Sequence, residues 1–272
     1  MVTVIKALCV GAIALSGLYV LSTQGRTGHP GLEELKNHRY AHRGLHGSCR
    51  PENSMAAFRA ALDAGFGIEL DIHLMKDGNL AVIHDCSLKR TAGADVKITD
   101  LTAKDLETYR LEETQERIPL FSDVLALYAG KAPLIIELKA DNGNHKALVA
   151  AAVKAMEGYE GSWCMESFDP RCVYELKKHH PGIIRGQLTE DYFVTGNSLP
   201  AVLKWALKNQ ALNFLTKPDF VAYNCRDYKT FSNTLVRKFW GVAGVTWTIR
   251  TKEALLEAEK DGWIPIFENF LP

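Results

Sequence analysis

Eight short apolar runs, most of them followed by a helix-type segment, govern what this chain can fold into. They cover residues 39–42, 67–73, 133–138, 162–168, 183–188, 220–223, 242–249 and 263–267. Strands separated by helices pair in parallel, because each helical crossover is long enough to carry the chain back to the same end of the sheet. Eight such units predict a (β/α)8 TIM barrel, and a chain of 272 residues with 47% hydrophobic content suits one domain of that kind. The intervening helices show ordinary signals. Asn53 or Ser54 caps a helix with the stripe Met55, Phe58, Leu62 and a stop at Gly65, and Ser122 opens another that closes at Gly130. Residues 86–118 are polar and lack a strong strand. They read as a small insertion on the barrel mouth, after the second strand and its hairpin, with a helical piece near 102–110.

The first 21 positions stand apart. Residues 2–21 are apolar except for Thr3, Lys6 and Ser16. Twenty helical residues span ~30 Å, the hydrocarbon thickness of a bilayer, so this stretch is expected to be an uncleaved transmembrane anchor. A cleaved signal peptide is the other reading, but no small-x-small cleavage site stands near 17–24. The expected organisation is an anchor over 1–23, a polar linker over 24–37 with Gly25, Gly28, Pro30 and Gly31, and a barrel over 38–272. A single-pass membrane location follows. The very short N-terminal tail favours a catalytic domain outside the cytoplasm. Formal net charge is zero, which gives no basis for a nucleic-acid partner. Six cysteines without C-x-x-C spacing read as free thiols.

Chemistry concentrates between residues 40 and 85. Glu69 and Asp71 fall on one face of a strand, since strand side chains alternate. A parallel barrel strand has no solvated face, so this repelling pair calls for a divalent cation. The Lys76-Asp77-Gly78-Asn79 turn is too short for a parallel crossover. Residues 80–83 should therefore run back antiparallel and bring His84 beside Asp71. His42 and Arg43 end the first strand, while Glu137, Lys139 and Trp247 fall at later strand ends. Glu137 and Lys139 also admit a simple internal salt bridge, and Trp247 fits core as well as pocket wall.

The ordered motifs His42-Arg43-Gly44, Pro51-Glu52-Asn53, Glu69-Leu70-Asp71, Lys76-Asp77-Gly78, His84-Asp85 and Glu137-Leu138-Lys139 resemble those of the glycerophosphodiester phosphodiesterase family. The resemblance continues in Ile118-Pro119-Leu120, Ser167-Phe168-Asp169 and Trp247-Thr248. It implies a TIM barrel with an insertion after the His-Asp motif. It also implies Glu69, Asp71 and Glu137 as ligands of one divalent cation, His42 and His84 as an acid/base pair, and Arg43 and Lys139 as phosphate contacts. Trp247 joins the substrate-binding candidates. The chain departs from the family at its end, Phe267-Glu268-Asn269-Phe270-Leu271-Pro272, where many members carry an acidic residue shortly before proline.

These residue types suit the reaction. Oxygen-only ligands favour Mg²⁺ or Ca²⁺, histidine titrates near neutral pH, and Arg43 offers a planar fork to phosphate. The expected activity is hydrolysis of a glycerophosphodiester to glycerol phosphate and an alcohol. A lysophospholipase D acting on a lysolipid, with a cyclic phosphate where a substrate hydroxyl attacks first, is the alternative within the class. A non-catalytic, membrane-tethered domain that binds phosphate head groups is the alternative outside it.

Overall fold

A computed structural model of the chain describes residues 2–196 and 198–272. Among these residues nine strands form one sheet: β1 (Tyr40–His42), β2 (Gly67–Leu74), β3 (Leu80–Val82), β4 (Leu134–Leu138), β5 (Trp163–Ser167), β6 (Arg185–Thr189), β7 (Phe220–Asn224), β8 (Ala243–Ile249) and β9 (Trp263–Phe267). The order is β1-β9-β8-β7-β6-β5-β4-β2-β3, with a further β1–β2 pairing. Since β1 is parallel to both β9 and β2, eight parallel strands close on themselves, as the alternation of elements required. The ninth strand, β3, pairs antiparallel with β2 through Ile72↔Val82 and Leu74↔Leu80, which is the expected hairpin.

The inside of the barrel is filled by side chains such as Tyr40, Ile135, Cys164, Phe220, Val245 and Ile266, all buried. A methyl group at Gly186 would stand 2.2 Å from the Phe220 ring, so this glycine makes the room that the phenyl occupies. The outer core lies between strands and helices, around Phe58, Ile68, Ile136, Leu148 and Leu176. Each of these large apolar side chains contributes about 1.5–3 kcal/mol by leaving water.

Side-chain caps explain several helix starts. Ser54 Oγ accepts the amide of Ala57 and opens Met55–Asp63, leaving Asn53 for another use. Asp169 caps Pro170–His179, and Thr251 caps Lys252–Lys260. The insertion packs its own cluster of Leu88, Ile98, Leu101, Leu106, Leu111 and Ile118 against Met75 and Ile83 of the hairpin. Its expected helix near 102–110 is only a single tight turn, Asp105–Thr108. There Asp105 accepts both the amide and the hydroxyl of Thr102, which closes the turn locally.

The N-terminal segment corrects an expectation. Val2–Ser22 is one helix, but among the described residues no helix is long and apolar enough to cross a membrane. The transmembrane anchor expected over 1–23 is therefore not supported. A physical reason is visible at its carboxyl end, which is fastened to the barrel flank. Tyr19 donates to the carbonyl of Asn209 and packs on Trp205, and the Trp240 indole donates to the carbonyl of Val20. Within 24–37, Leu32–Lys36 forms a short helix that buries Leu32 and Leu35 beneath the barrel. Arg26 pairs with the buried carboxylate of Asp219 at 2.5 Å. All six cysteines are free thiols.

Candidate active site

The carboxyl ends of β1, β2 and β4 carry the cluster. Parallel pairing sets His42 opposite Glu69, Asp71 opposite Glu137, and Glu137 opposite Glu166 on β5. Three carboxylates, Glu69, Asp71 and Glu137, offer oxygens that all lie within 4.8 Å of one another, each group buried. His42 Nε2 stands 3.8 Å from Glu69, and Lys139 Nζ contacts Glu137 at 2.8 Å and Asp71 at 3.0 Å. Asp71 also accepts from Asn53 Nδ2 at 2.8 Å and faces Arg43 Nε at 3.4 Å. The hairpin does what its short turn demanded: the amide of Ile83 donates to the carbonyl of Asp71, delivering His84 to the same rim.

Backbone geometry at the first motif is specific. Arg43 and Asn53 both adopt left-handed backbone, at φ 54° each, a conformation that costs non-glycine residues about 1 kcal/mol or more. They hold each other there, the Asn53 amide donating to the Arg43 carbonyl. Gly44, at φ 79°, lies against the Met55–Asp63 helix, where a Cβ would meet the Ala57 backbone at 2.8 Å. The His-Arg-Gly sequence is therefore a turn that only glycine can close against that helix.

The electrostatics follow from burial and crowding. Burial pushes the Glu69 carboxyl well above its ordinary range, and repulsion from Asp71 and Glu137 adds to it. Burial likewise raises Glu137 to about 7, against the pull of Lys139. Burial acts on Asp71 in the same sense, but Lys139, His84, Arg43 and the Asn53 amide outweigh it and hold that carboxyl low. Burial lowers His42, and lowers His84 to about 4, so both imidazoles are neutral near pH 7. A carboxylate set that resists ionisation and has only oxygen donors fits a hard divalent cation.

Each histidine is oriented by a carboxylate. His42 Nδ1 lies 2.6 Å from Glu268 Oε2, and His84 Nδ1 lies 2.6 Å from Asp85 Oδ1. An ionised carboxylate only accepts, so Nδ1 carries the hydrogen in both rings and Nε2 is left with its lone pair. Arg250 bonds the other oxygen of Glu268 at 2.5 Å. Arg90, on the short helix Lys89–Ala92 of the insertion, bonds Asp85 at 2.5 Å and Glu52 at 2.6 Å, and Glu52 in turn bonds Arg43 at 2.9 Å. A salt-bridge chain thus ties the insertion to the rim. Trp247 stands farther out, edge-on to Phe168 at 5.5 Å, with Phe168 6.0 Å from Lys139 Nζ.

The structure brings His42, Arg43, Glu69, Asp71, His84, Glu137 and Lys139 together and sets Trp247 at the edge. Sequence reasoning missed Glu268 as a partner of His42 and missed Glu166. The Glu166 carboxyl is pushed far up by burial, with Glu137 adding to it, and Glu166 Oε2 has no hydrogen-bond partner. Its signal was available, since it is a carboxylate on a strand with no wet face.

Fold and site define a (β/α)8 barrel with a candidate cation-dependent phosphoester centre at its mouth. The chain belongs to the glycerophosphoryl diester phosphodiesterase family, whose model matches residues 42–271. Among curated relatives, a glycerophosphodiester phosphodiesterase of Bacillus altitudinis is 39% identical over 114 residues, 39% of this chain and 46% of that protein. A lysophospholipase D of Rattus norvegicus is 36% identical over 115 residues, 38% of this chain and 36% of that protein. The chain thus spans less than half the length of these two relatives. Among solved structures, an Oleispira antarctica phosphodiesterase in complex with the product sn-glycerol-3-phosphate superposes with a TM-score of 0.69 at 22% identity. That match covers 85% of this chain and 92% of the other, and it shows a shared fold.

Proposed function

We propose that this chain hydrolyses a glycerophosphodiester to glycerol phosphate and an alcohol, with a divalent cation held by Glu69, Asp71 and Glu137. The observation that carries the reading is the convergence of three buried carboxylates with two carboxylate-oriented imidazoles on one rim. When bound, the cation supplies Lewis-acid polarisation of a phosphoryl oxygen. Arg43 and Lys139 bind and orient the phosphate oxygens, Arg43 through its fork and Lys139 as a point charge. His42, with Nε2 unprotonated and Nδ1–H on Glu268, is suited to take the proton of the attacking water or hydroxyl. His84, braced by Asp85 and carried on the hairpin, can hand a proton to the leaving alcohol only after its Nε2 has taken one up, which the negative charge of a bound phosphate favours. Trp247 and Phe168 line the side where an ester arm leaves the phosphorus.

Mg²⁺ and Ca²⁺ both suit the donor set. A second reading, lysophospholipase D activity, is favoured by the resemblance to the rat enzyme and by exposed apolar residues in the segment that follows β6, among them Phe193, Val194, Val202 and Trp205. The exposed apolar side chains of the N-terminal helix also support residence at a membrane, to be tested by flotation with lipid vesicles. The decisive assay follows glycerophosphodiesters and a lysolipid by phosphorus NMR with Mg²⁺, Ca²⁺ or chelator. Chelator-sensitive release of glycerol phosphate is expected. Turnover unaffected by chelator, or none on any diester, defeats the reading.

A further inference from the structure

A second group of metal-type ligands stands behind the first. One ligand atom from each of His42, His46 and Glu268 lies within 4.8 Å of the others. Glu268 Oε2 is the shared apex, 2.6 Å from His42 Nδ1 and 3.5 Å from His46 Nε2. Orienting His42 needs one carboxylate and nothing more. His46 adds nothing to that orientation. Its Nε2 is buried, stands 3.5 Å from the same oxygen, and makes no hydrogen bond there. The opposite oxygen of Glu268 is fixed from outside by Arg250, as outer partners fix a ligating carboxylate.

We propose that His42 Nδ1, His46 Nε2 and Glu268 Oε2 form a transition-metal site, suited to Zn²⁺, whose occupation switches off the catalytic histidine. Two imidazoles and one carboxylate, with a fourth position open to water, are a zinc donor set, whereas the all-carboxylate cluster nearby selects hard cations. Tetrahedral zinc bonds of ~2.0–2.1 Å place ligand atoms about 3.3 Å apart. The contacts of 2.6 and 3.5 Å bracket that separation, so small side-chain shifts would admit the ion.

The inhibition follows from the imidazole itself. In the active form Nδ1 bears the hydrogen and Nε2 the lone pair. Zinc takes the Nδ1 lone pair, so the ring hydrogen must move to Nε2 through solvent. His42 then presents an N–H that cannot accept a proton and, in a ring that is already neutral, gives one up only with difficulty. The block holds whichever proton-transfer role His42 plays.

The test uses the full chain saturated with Mg²⁺ or Ca²⁺. Wild type, His46→Ala and His46→Gln are compared by zinc equilibrium dialysis, by Co²⁺ visible absorption and by glycerophosphodiester turnover against added Zn²⁺. Wild type should bind one Zn²⁺ beyond the hard cation, show an intense Co²⁺ band and lose activity. Both variants should turn over normally without zinc, lose the Co²⁺ band, and need at least ~10–100-fold more zinc for inhibition, the loss typical even of outer-shell changes. The inhibition arm rests on the phosphodiesterase reading, while the binding arms need no substrate. Zinc binding that depends on His46 in a protein inactive on every diester would support the site and sink the activity instead. No extra zinc on wild type, or equal binding and equal inhibition in all three folded proteins, overturns the site.

Discussion

Glu137→Gln is the substitution whose effect can be worked out most fully. Glu137 is buried at the end of β4, and burial raises its carboxyl from an ordinary 4.5 to about 7. A carboxyl raised on folding destabilises the native state wherever it must ionise. The penalty is absent below pH 4.5, grows between 4.5 and about 7, and is complete above that. At about 1.4 kcal/mol per pH unit it amounts to roughly 3 kcal/mol for the metal-free protein. Glutamine keeps the shape and an acceptor for Lys139 but removes the charge. In chelator at pH 8 the variant should therefore be more stable than wild type by about 1–3 kcal/mol, a rise in Tm of roughly 5 °C for a chain of this size. Near the ordinary carboxyl pKa of 4.5 the difference should close. Adding Mg²⁺ or Ca²⁺ should reverse the order, since a ligand at about a hundred times its Kd stabilises by about 2.7 kcal/mol and the variant has lost a ligand. Differential scanning fluorimetry across pH, with and without cation, measures all of this. A variant less stable than wild type in chelator at pH 8, or one stabilised by cation as strongly as wild type, would refute the reasoning.

The two histidines should separate by leaving group. His84→Ala should lose ~10²–10⁴-fold on an alkyl diester yet recover on a p-nitrophenyl diester, while His42→Ala should lose on both, and equal losses throughout would deny this division of labour. Glu268→Gln and Asp85→Asn should lower kcat with little change in KM, because each acts through its histidine; a change confined to KM would place them in binding instead. Arg26→Ala should destabilise by about 3 kcal/mol in urea unfolding, since it leaves the Asp219 carboxylate buried without its partner. An unchanged midpoint would show that the pair contributes nothing.

Local pattern made the barrel legible. Strand runs, the cap at Ser54 and the four-residue turn before β3 each act within a few positions, and each formed as expected. The cluster of Glu69, Asp71, Glu137, His42 and His84 was legible for the same reason: strand alternation and one hairpin fix most of it. The partners of those residues were not. Glu268 is 226 positions from His42, and only barrel closure between β1 and β9 joins them. Arg90 reaches Glu52 and Asp85 because the insertion folds back over the rim, which no periodicity announces. The N-terminal stretch is the opposite case. Its apolar composition is a local signal for a bilayer, whereas its end is fixed by tertiary contacts with Trp205, Asn209 and Trp240.

The closed wall is chemically uneven around its circumference. The arc from the end of β9 through β1, β2, β4 and β5 carries Glu268, His42, Glu69, Asp71, Glu137, Lys139 and Glu166, while β6, β7 and β8 offer Leu188, Ala222 and Trp247 beside fewer charged groups, Glu190 and Arg250 at their ends. A diester is itself two-sided, with an anionic centre and carbon arms. At such a mouth it would meet something like an oil–water boundary bent into a ring. On the proposed reading a phosphate would be drawn to the charged arc and a carbon arm would rest on the other, turning the molecule before any single hydrogen bond selects its pose.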